Sequence, residues 1–510
     1  MSITQSLHRG KNLCPDKLAI VTGDRTTTYG ELYNNVATCA SVLSQSKTQV
    51  GDRVCILALN SDLAITSFWG ASWAGMVPNF LNLRWSVYEL SMTIDDCTPS
   101  VLIVDDIFLK AGVELKSRCA SIQRLIYVGD SLDLPEEVES YNQQAAKAQP
   151  MEDRSGSNTD LCLLNYTGGT TGKGKGVMIS HQAHINSMQV VLTEGLFQTS
   201  NTLLVVPLFH VAGICLTSSA LMQQSTIFTL AQFEPVTVLE NLQKNRIEQA
   251  FLVPTMMKML VDEPTFSDYN IESFKRIRYG ASPIDDSLLN KVKASMPWAD
   301  LMQVYGQTEC VPVTVLQHAD HSEKAMKSGR TRSAGRPCYG AEFEIRDPEG
   351  NPLPAGEIGE IAVSAANMMT GYWNNEKETN AVIKGRWLLT GDAGYLSEDG
   401  YLYLVDRMKD MIISGGENVY SLEVESALYK HGSVQDCAVV GLKDKKWGEI
   451  VHAEVVLKPN TVLTKEQLIE YTREFLAGYK LPRSVSFTDA IPLTAVGKIN
   501  KVAIRDKYAN

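Results

Sequence analysis

The chain lacks any CxxC pair, and its ten cysteines are scattered over 510 residues without ligand-like spacing. That argues against a zinc ribbon and against a disulfide framework, and fits reduced, mostly buried thiols in a cytoplasmic protein. A basic surplus is also missing: 47 Lys and Arg face 58 Asp and Glu, a formal charge of -11. Nucleic acid is therefore not an expected partner, and acidic ligands have to be held by local devices. The N-terminal MSITQSLHRGKN has no apolar core of the secretory type, and the C-terminal KYAN matches no retention or peroxisomal tag. There is no internal repeat and no low-complexity tract. Formal charge is absent from TLLVVPLFHVAGICLTSSALM, residues 202–222, which is long enough for a membrane span. Pro207 and His210 interrupt its first half, so it reads as a short buried strand ending before a helix, and no integral membrane segment is expected.

What is present is apolar and alternating. With 44% hydrophobic and 21% charged residues the chain can bury a large core, and its length calls for at least two domains. Strand-like runs such as RVCILAL, SVLIVD, RLIYVGD, EQAFLVP and FKRIRYG alternate with helix-like segments such as SDLAITSFWGASWAGM and DDSLLNKVKAS. This pattern predicts an α/β protein with parallel sheets covered by helices. Residues 340–405 break into short strands with Gly, Pro and Asp turns, predicting a small β unit. Beyond DRMKD, a smaller α+β domain of about a hundred residues is expected. One of its helices opens with a capping box from Thr464 to Gln467 and ends near Gly478. The expected division is 1–406 for a large N-terminal domain and 410–510 for a small mobile one, joined at 407–409.

YTGGTTGKGKG, residues 166–176, follows the apolar LCLL and holds five glycines and three threonines. Unobstructed backbone N–H groups, threonine hydroxyls and lysines are what polyphosphate oxygens need, so this stretch predicts a phosphate cradle. It is not a P-loop of the Walker kind. Gly169, Gly174 and Lys175 align with that pattern, but Gly176 stands where a hydroxyl would ligate Mg²⁺.

Together with PLFHVAG (207–213), YGASPI (279–284), YGQTE (305–309), TGD (390–392), DRMKDMIISGGENVYSLEVE (406–425) and PLTAVGKINK (492–501), the loop resembles the adenylate-forming superfamily of acyl-CoA and aryl-CoA synthetases, luciferases and adenylation domains. The resemblance spans essentially the whole chain. In the loop the family usually has Ser where Gly169 stands and Pro where Gly174 stands; the first departure also occurs in fatty acyl-CoA synthetases, and the second implies a floppier loop.

The resemblance implies two half-reactions: a carboxylate attacks the α-phosphorus of ATP to give an acyl-adenylate and pyrophosphate, and a thiol then displaces AMP. Lys498 is implied as the cation that brings the two anions together, and Glu309 as the Mg²⁺ ligand. Thr167, Gly168, Gly169, Thr170, Thr171, Gly172 and Lys175 are assigned to the pyrophosphate end. Tyr305, Gly280, Ala281 and Ser282 are assigned to adenine, Thr308 with Gly306 to the α-phosphate turn, and Asp392 with Arg407 to the ribose. His210 is placed at the mouth of the acyl pocket as a positioning group rather than a base, because a carboxylate nucleophile is already ionised at neutral pH. The pocket wall is implied to be His210, Val211, Gly213, Gly280, Gly306, Pro312 and Val313. After the first step the small domain is implied to swing about Lys409 and present Gly415 and Gly416, whose lack of side chains opens a channel for the pantetheine arm. Trp447, Lys480 and Arg483 are candidates for the CoA nucleotide.

The absence of a downstream carrier-type segment and the local similarity to bacterial fatty acyl- and aryl-CoA synthetases make CoA the expected acceptor. The implied pocket residues are small and apolar, so the expected substrate is a hydrophobic carboxylic acid, medium- or long-chain fatty or aromatic. A luciferase-like oxygenase, a ligase acting on a carrier-protein thiol and a non-catalytic nucleotide-binding homologue stay open as alternatives, and the chain is compatible with a monomer or a homodimer.

Overall fold

The computed structural model describes residues 2–45, 48–131, 133–167, 174–414, 417–494 and 499–508, with the backbone alone at Lys409 and Asn418. The chain divides into two compact units, Met1–Glu342 with Ser364–Leu388, and Phe343–Val363 with Leu389–Asn510.

The first unit carries the parallel sheets that the alternation predicts. One orders Val77–Phe80, Arg53–Leu57, Val101–Val104, Arg124–Tyr127 and Val138–Ser140, all parallel. The larger runs Arg336–Pro337, Cys310–Leu316, Asp300–Gln307, Arg276–Gly280, Gln249–Leu252, Asn201–Leu204, Thr226–Thr229, Leu18–Thr22, Arg25–Thr28. It is parallel from Asp300–Gln307 across to Leu18–Thr22 and antiparallel at both edges. Strands such as Val101–Val104 are buried throughout, which a sheet covered on both faces requires. Several helices start at a Ser or Asp cap: Ser61 accepts from the Ala64 amide, Ser180 from Ala183 and Asp285 from Leu288. The uncharged run resolves into strand Asn201–Leu204 and helix Val211–Met222, with Pro207 in the turn between them. Among the described residues no helix is long and apolar enough to cross a membrane. Burial pushes the Cys39 thiol up to about 12, as an inert interior cysteine requires.

Three histidines are sealed in this unit. His184 shares a 2.8 Å hydrogen bond with the Ser218 hydroxyl, His321 one of 2.8 Å with the Tyr279 hydroxyl, and His181 accepts from the Ile3 amide at 3.4 Å. Burial pushes all three from an ordinary value of 6.5 down to about 4. The folded chain therefore binds fewer protons than the unfolded one between these values, and stability is full above pH 6.5 and lost as pH falls towards 4. Denaturant melts should show that loss, amounting to about 3 kcal/mol per imidazole, and His184→Gln should flatten the same stretch of the profile.

Apart from a few end residues, strands Glu342–Arg346, Gly359–Ser364, Trp387–Leu396 and Leu402–Arg407 belong to the second unit and form the small β unit read from 340–405. The C-terminal α+β part orders Glu417–Val419, Ile412–Ser414, Gly448–Leu457 and Val434–Asp444, with Ser484–Phe487 pairing in parallel with residues 452–455 of Gly448–Leu457. Helices Ser421–Tyr429 and Lys465–Thr472 cover it around Val424, Leu428, Val451 and Leu468. The hinge expected at 407–409 falls among the residues of this unit. Across it, the Asp406 carboxylate accepts from the Ser421 amide and, at 2.6 Å, from the Ser421 hydroxyl. The capping box at Thr464 and Gln467 is present, but the helix it opens stops at Thr472 instead of near Gly478. The Thr472 carbonyl accepts from both the Phe475 and Leu476 amides, a turn that buries Leu476 in the core.

Candidate active site

The base of the glycine loop is a hairpin. Leu161–Thr167 pairs antiparallel with Lys175–Ser180, setting Thr167 opposite Lys175, and Gly371–Tyr372 pairs on the far edge. Gly168, Gly169, Thr170, Thr171 and Gly172 lie outside the described residues. Gly174 and Gly176 provide clearance. A Cβ at Gly174 would stand 2.9 Å from the Thr167 carbonyl oxygen and 3.1 Å from the Trp85 ring, and one at Gly176 2.8 Å from the Tyr166 ring. Glycine at 174 therefore answers a close approach. Tyr166 is held by its hydroxyl, which donates to Asp96 at 2.6 Å, while Trp373 Nε1 donates to the Asp96 carbonyl at 3.1 Å. The Lys175 ammonium stands 2.5 Å from Glu378 and 4.9 Å from the centre of the Tyr372 ring. The hydrogen bond from Lys175, and then its charge, hold the Glu378 carboxyl below the usual carboxylate range.

A second group forms where parallel strands end, the place at which α/β sheets bind ligands. Gly280 closes Arg276–Gly280 opposite Val304, and a Cβ there would meet the Val304 carbonyl oxygen at 2.1 Å. Ala281 follows with φ 67°, turning the chain so that Ser282 leaves the sheet. The neighbouring strand delivers Tyr305 and Gly306, and Thr308 and Glu309 occupy the turn into Cys310–Leu316. The pairing thus sets Gly280 beside Val304, with 281–282 and 305–309 following at the ends of adjacent strands. The Glu309 carboxylate accepts from the Tyr372 hydroxyl at 2.8 Å, and its main-chain oxygen accepts from the Met369 amide at 2.7 Å. Pro312 and Val313 follow as buried strand residues, with the Pro312 carbonyl accepting from Asn367 at 3.0 Å.

His210 sits at the N-cap of Val211–Met222, its ring tilted against Phe209 at 4.4 Å between centres. Val211 opens the helix, and Gly213 packs so closely that a Cβ would lie 2.5 Å from the Pro207 carbonyl oxygen. The Asn165 amide donates to the Phe209 carbonyl at 3.2 Å, fastening this turn to the strand that enters the glycine loop. Asn60 clamps the same turn from the other side, donating to Val206 and accepting from Leu208, both at 3.0 Å.

In the second unit Asp392 and Arg407 face each other across antiparallel strands, with Asp392 Oδ1 2.7 Å from Arg407 Nε. Asp392 is buried and Arg407 exposed, so an acceptor-only carboxylate is presented at a fixed height beside a cation. The Arg483 guanidinium lies 4.1 Å from the Trp447 ring centre. Lys480 is brought instead to Glu423, at 2.7 Å. The backbone of Lys409 runs through a single 3₁₀ turn, Met408–Asp410. Gly415, Gly416 and Lys498 lie outside the described residues.

Tyr372, Glu378, Asp96 and Asn165 were not singled out by the sequence reading. The one local signal was GYW at 371–373, a glycine-aromatic step before the Asn375 cap of Glu376–Val382. Among the described residues no three His, Cys, Asp or Glu side chains form a metal-binding group. Mg²⁺ that keeps phosphate and water oxygens needs only one or two carboxylates, and Glu309, fixed through one oxygen, fits that demand.

Residues 7–373 match the family described as AMP-binding enzyme, and residues 423–498 match the AMP-binding enzyme C-terminal domain. Feruloyl-CoA synthase of Amycolatopsis sp is 34% identical over 505 residues, covering 98% of each chain. Long-chain-fatty-acid–CoA ligase of Bacillus subtilis is 32% identical over 521 residues, covering 95% of this chain and 90% of that one. The structure of o-succinylbenzoate CoA synthetase from Bacillus subtilis, in complex with the acyl-adenylate intermediate OSB-AMP, superposes with a TM-score of 0.85 at 28% identity and covers 98% of both chains. A family match over 7–373, together with relatives above 30% identity along nearly the whole length, shows that the chain belongs to the AMP-binding enzyme family.

Proposed function

We infer that the protein is an AMP-forming acid–CoA ligase acting on a hydrophobic carboxylic acid. The observation that carries this reading is the convergence of 280–282 and 305–309 at adjacent strand ends, within a chain that matches CoA ligases over nearly its full length. A carboxylate oxygen attacks the α-phosphorus of ATP, the bond to the β-phosphate oxygen breaks, and pyrophosphate leaves. The CoA thiol then attacks the acyl carbon and AMP departs.

Each step asks for something the named residues supply. Gly280 and Ala281 leave backbone open to a purine, with the Tyr305 ring on the next strand. Asp392 accepts from the ribose hydroxyls while Arg407 keeps it oriented. Thr308 donates to the α-phosphate. Thr167 and Lys175, with the intervening loop, take the pyrophosphate, and Lys498 draws the two anions together. Glu309 is the residue that would hold Mg²⁺, which neutralises phosphate charge when bound. His210, at the head of its helix, orients the substrate carboxylate beside an apolar wall of Val211, Gly213, Pro312 and Val313. For the second step Lys409 is the hinge, Gly415 and Gly416 line the thiol channel, and the Trp447–Arg483 pair with Lys480 receives the CoA nucleotide. The reading places the enzyme in the cytoplasm, where ATP and CoA are available.

The relatives' substrates support a hydrophobic acid, one relative being a feruloyl-CoA synthase and another a long-chain-fatty-acid–CoA ligase. A pyrophosphate-release screen over fatty and aryl acids, with and without CoA, tests the whole proposal. Release accompanied by AMP and thioester is the expected result. Absence of acid-dependent ATP–pyrophosphate exchange with every acid would turn the reading to a nucleotide-binding homologue, and exchange without CoA consumption would turn it to another acceptor.

A further inference from the structure

Lys175 and Glu309 belong to different elements, and one side chain touches both. Tyr372 is buried, its ring faces the Lys175 ammonium at 4.9 Å, and its hydroxyl donates to Glu309 Oε1 at 2.8 Å. The Tyr372 backbone is pinned twice. It pairs with Val177 in the hairpin sheet, and its amide donates to Thr379 Oγ1 at 2.8 Å. The same short helix that supplies Thr379 supplies Glu378, the carboxylate 2.5 Å from Lys175. A line of groups thus runs from Glu378 through Lys175 and Tyr372 to Glu309, within the first unit.

We propose that Tyr372 and Glu378 are positioning residues of the pyrophosphate end: Tyr372 fixes the metal-binding carboxylate and seats the lysine, and Glu378 is the counter-ion that an incoming phosphate anion displaces from Lys175. The proposal rests on the assignment of Lys175 to pyrophosphate and Glu309 to Mg²⁺ made above. A carboxylate with one oxygen held by a phenol hydroxyl presents the other to a cation in one orientation, and partners of this kind set metal affinity. Glu378 and Lys175 are both partly exposed, so their attraction is weak enough for a polyanion to replace. The Tyr372 ring stays beneath the ammonium after the exchange and keeps it from following Glu378.

Two binding measurements test this without relying on turnover. Calorimetric titration of inorganic pyrophosphate without metal should give about two- to fivefold tighter binding in Glu378→Gln, and Lys175→Ala should weaken it. Unchanged affinity in Glu378→Gln beside weakened Lys175→Ala overturns the displacement, whereas no change in either variant overturns the Lys175 assignment with it. Electron paramagnetic resonance titration of Mn²⁺ at saturating ATP should show about tenfold weaker metal binding in Tyr372→Phe, which keeps the ring. Native Mn²⁺ affinity in Tyr372→Phe beside lost affinity in Glu309→Gln overturns the positioning role, and native affinity in both overturns the Glu309 assignment. Melting temperatures near the wild type confirm that each variant is folded.

Discussion

Lys498→Ala should lower acid-dependent pyrophosphate exchange by about 10²-fold or more, yet leave thioester formation from supplied acyl-adenylate and CoA within a few-fold of wild type. In the first half-reaction a carboxylate approaches a polyphosphate, and one cation within several ångströms of both is worth a few kcal/mol in a partly dry site. In the second, a thiol meets a mixed anhydride whose negative charge is already reduced by the loss of pyrophosphate, and no comparable repulsion has to be offset. The measurement is a pair of assays on one variant, isotope exchange for the first step and thioester formation for the second. Loss of both activities would contradict the division of labour between Lys498 and the face that carries Gly415 and Gly416.

Asp392→Asn should raise KM for ATP by about tenfold to a hundredfold, with a smaller change in kcat. The carboxylate is buried and held 2.7 Å from Arg407, so its two oxygens point in a direction set by the strands and not by solvent. An amide of the same shape turns one acceptor into a donor, leaving a ribose hydroxyl without its partner and the guanidinium without its charge, at about 1–3 kcal/mol for each unsatisfied group. Ground-state and transition-state nucleotide lose this equally, which is why the effect is expected in KM. Arg407→Lys offers the complementary arm: the charge stays but the guanidinium geometry goes, and a smaller rise in KM is expected. A large fall in kcat at unchanged KM in Asp392→Asn would place this carboxylate in the chemistry and out of the nucleotide grip.

Much of the molecule was legible before any coordinates. Apolar runs of four to seven residues between Gly, Pro, Ser and Asp positions resolve into parallel strands and capped helices because both signals are local: a buried strand needs continuous apolar residues, and a helix start needs an oxygen for its orphan N–H groups. The strand end at Gly280 was foreshadowed by the run FKRIRYG, whereas the turn at Ala281 and the 2.1 Å approach that little but glycine accommodates at 280 came from the structure. Seven ordered motifs carried the family resemblance, and with it most of the site residues. The helix from Lys465 was legible at its start and misjudged at its end, because a capping box is a four-residue event whereas the stop at Thr472 depends on Leu476 finding the core.

The sequence by itself determined the order of elements, the glycine-rich composition of 166–176, and the charged residues expected to handle phosphate. Only the tertiary structure decided which of those charges meet. Glu378 reaches Lys175 across 203 positions, and Tyr372 reaches Glu309 across 63. Neither separation has a periodicity that a reader of the chain could detect. Both contacts follow from one long-range register, the pairing of Met178 with Gly371 and of Val177 with Tyr372. A register is chosen by the packing of a whole sheet against its neighbours, so the partners it creates exist only once the chain has closed on itself.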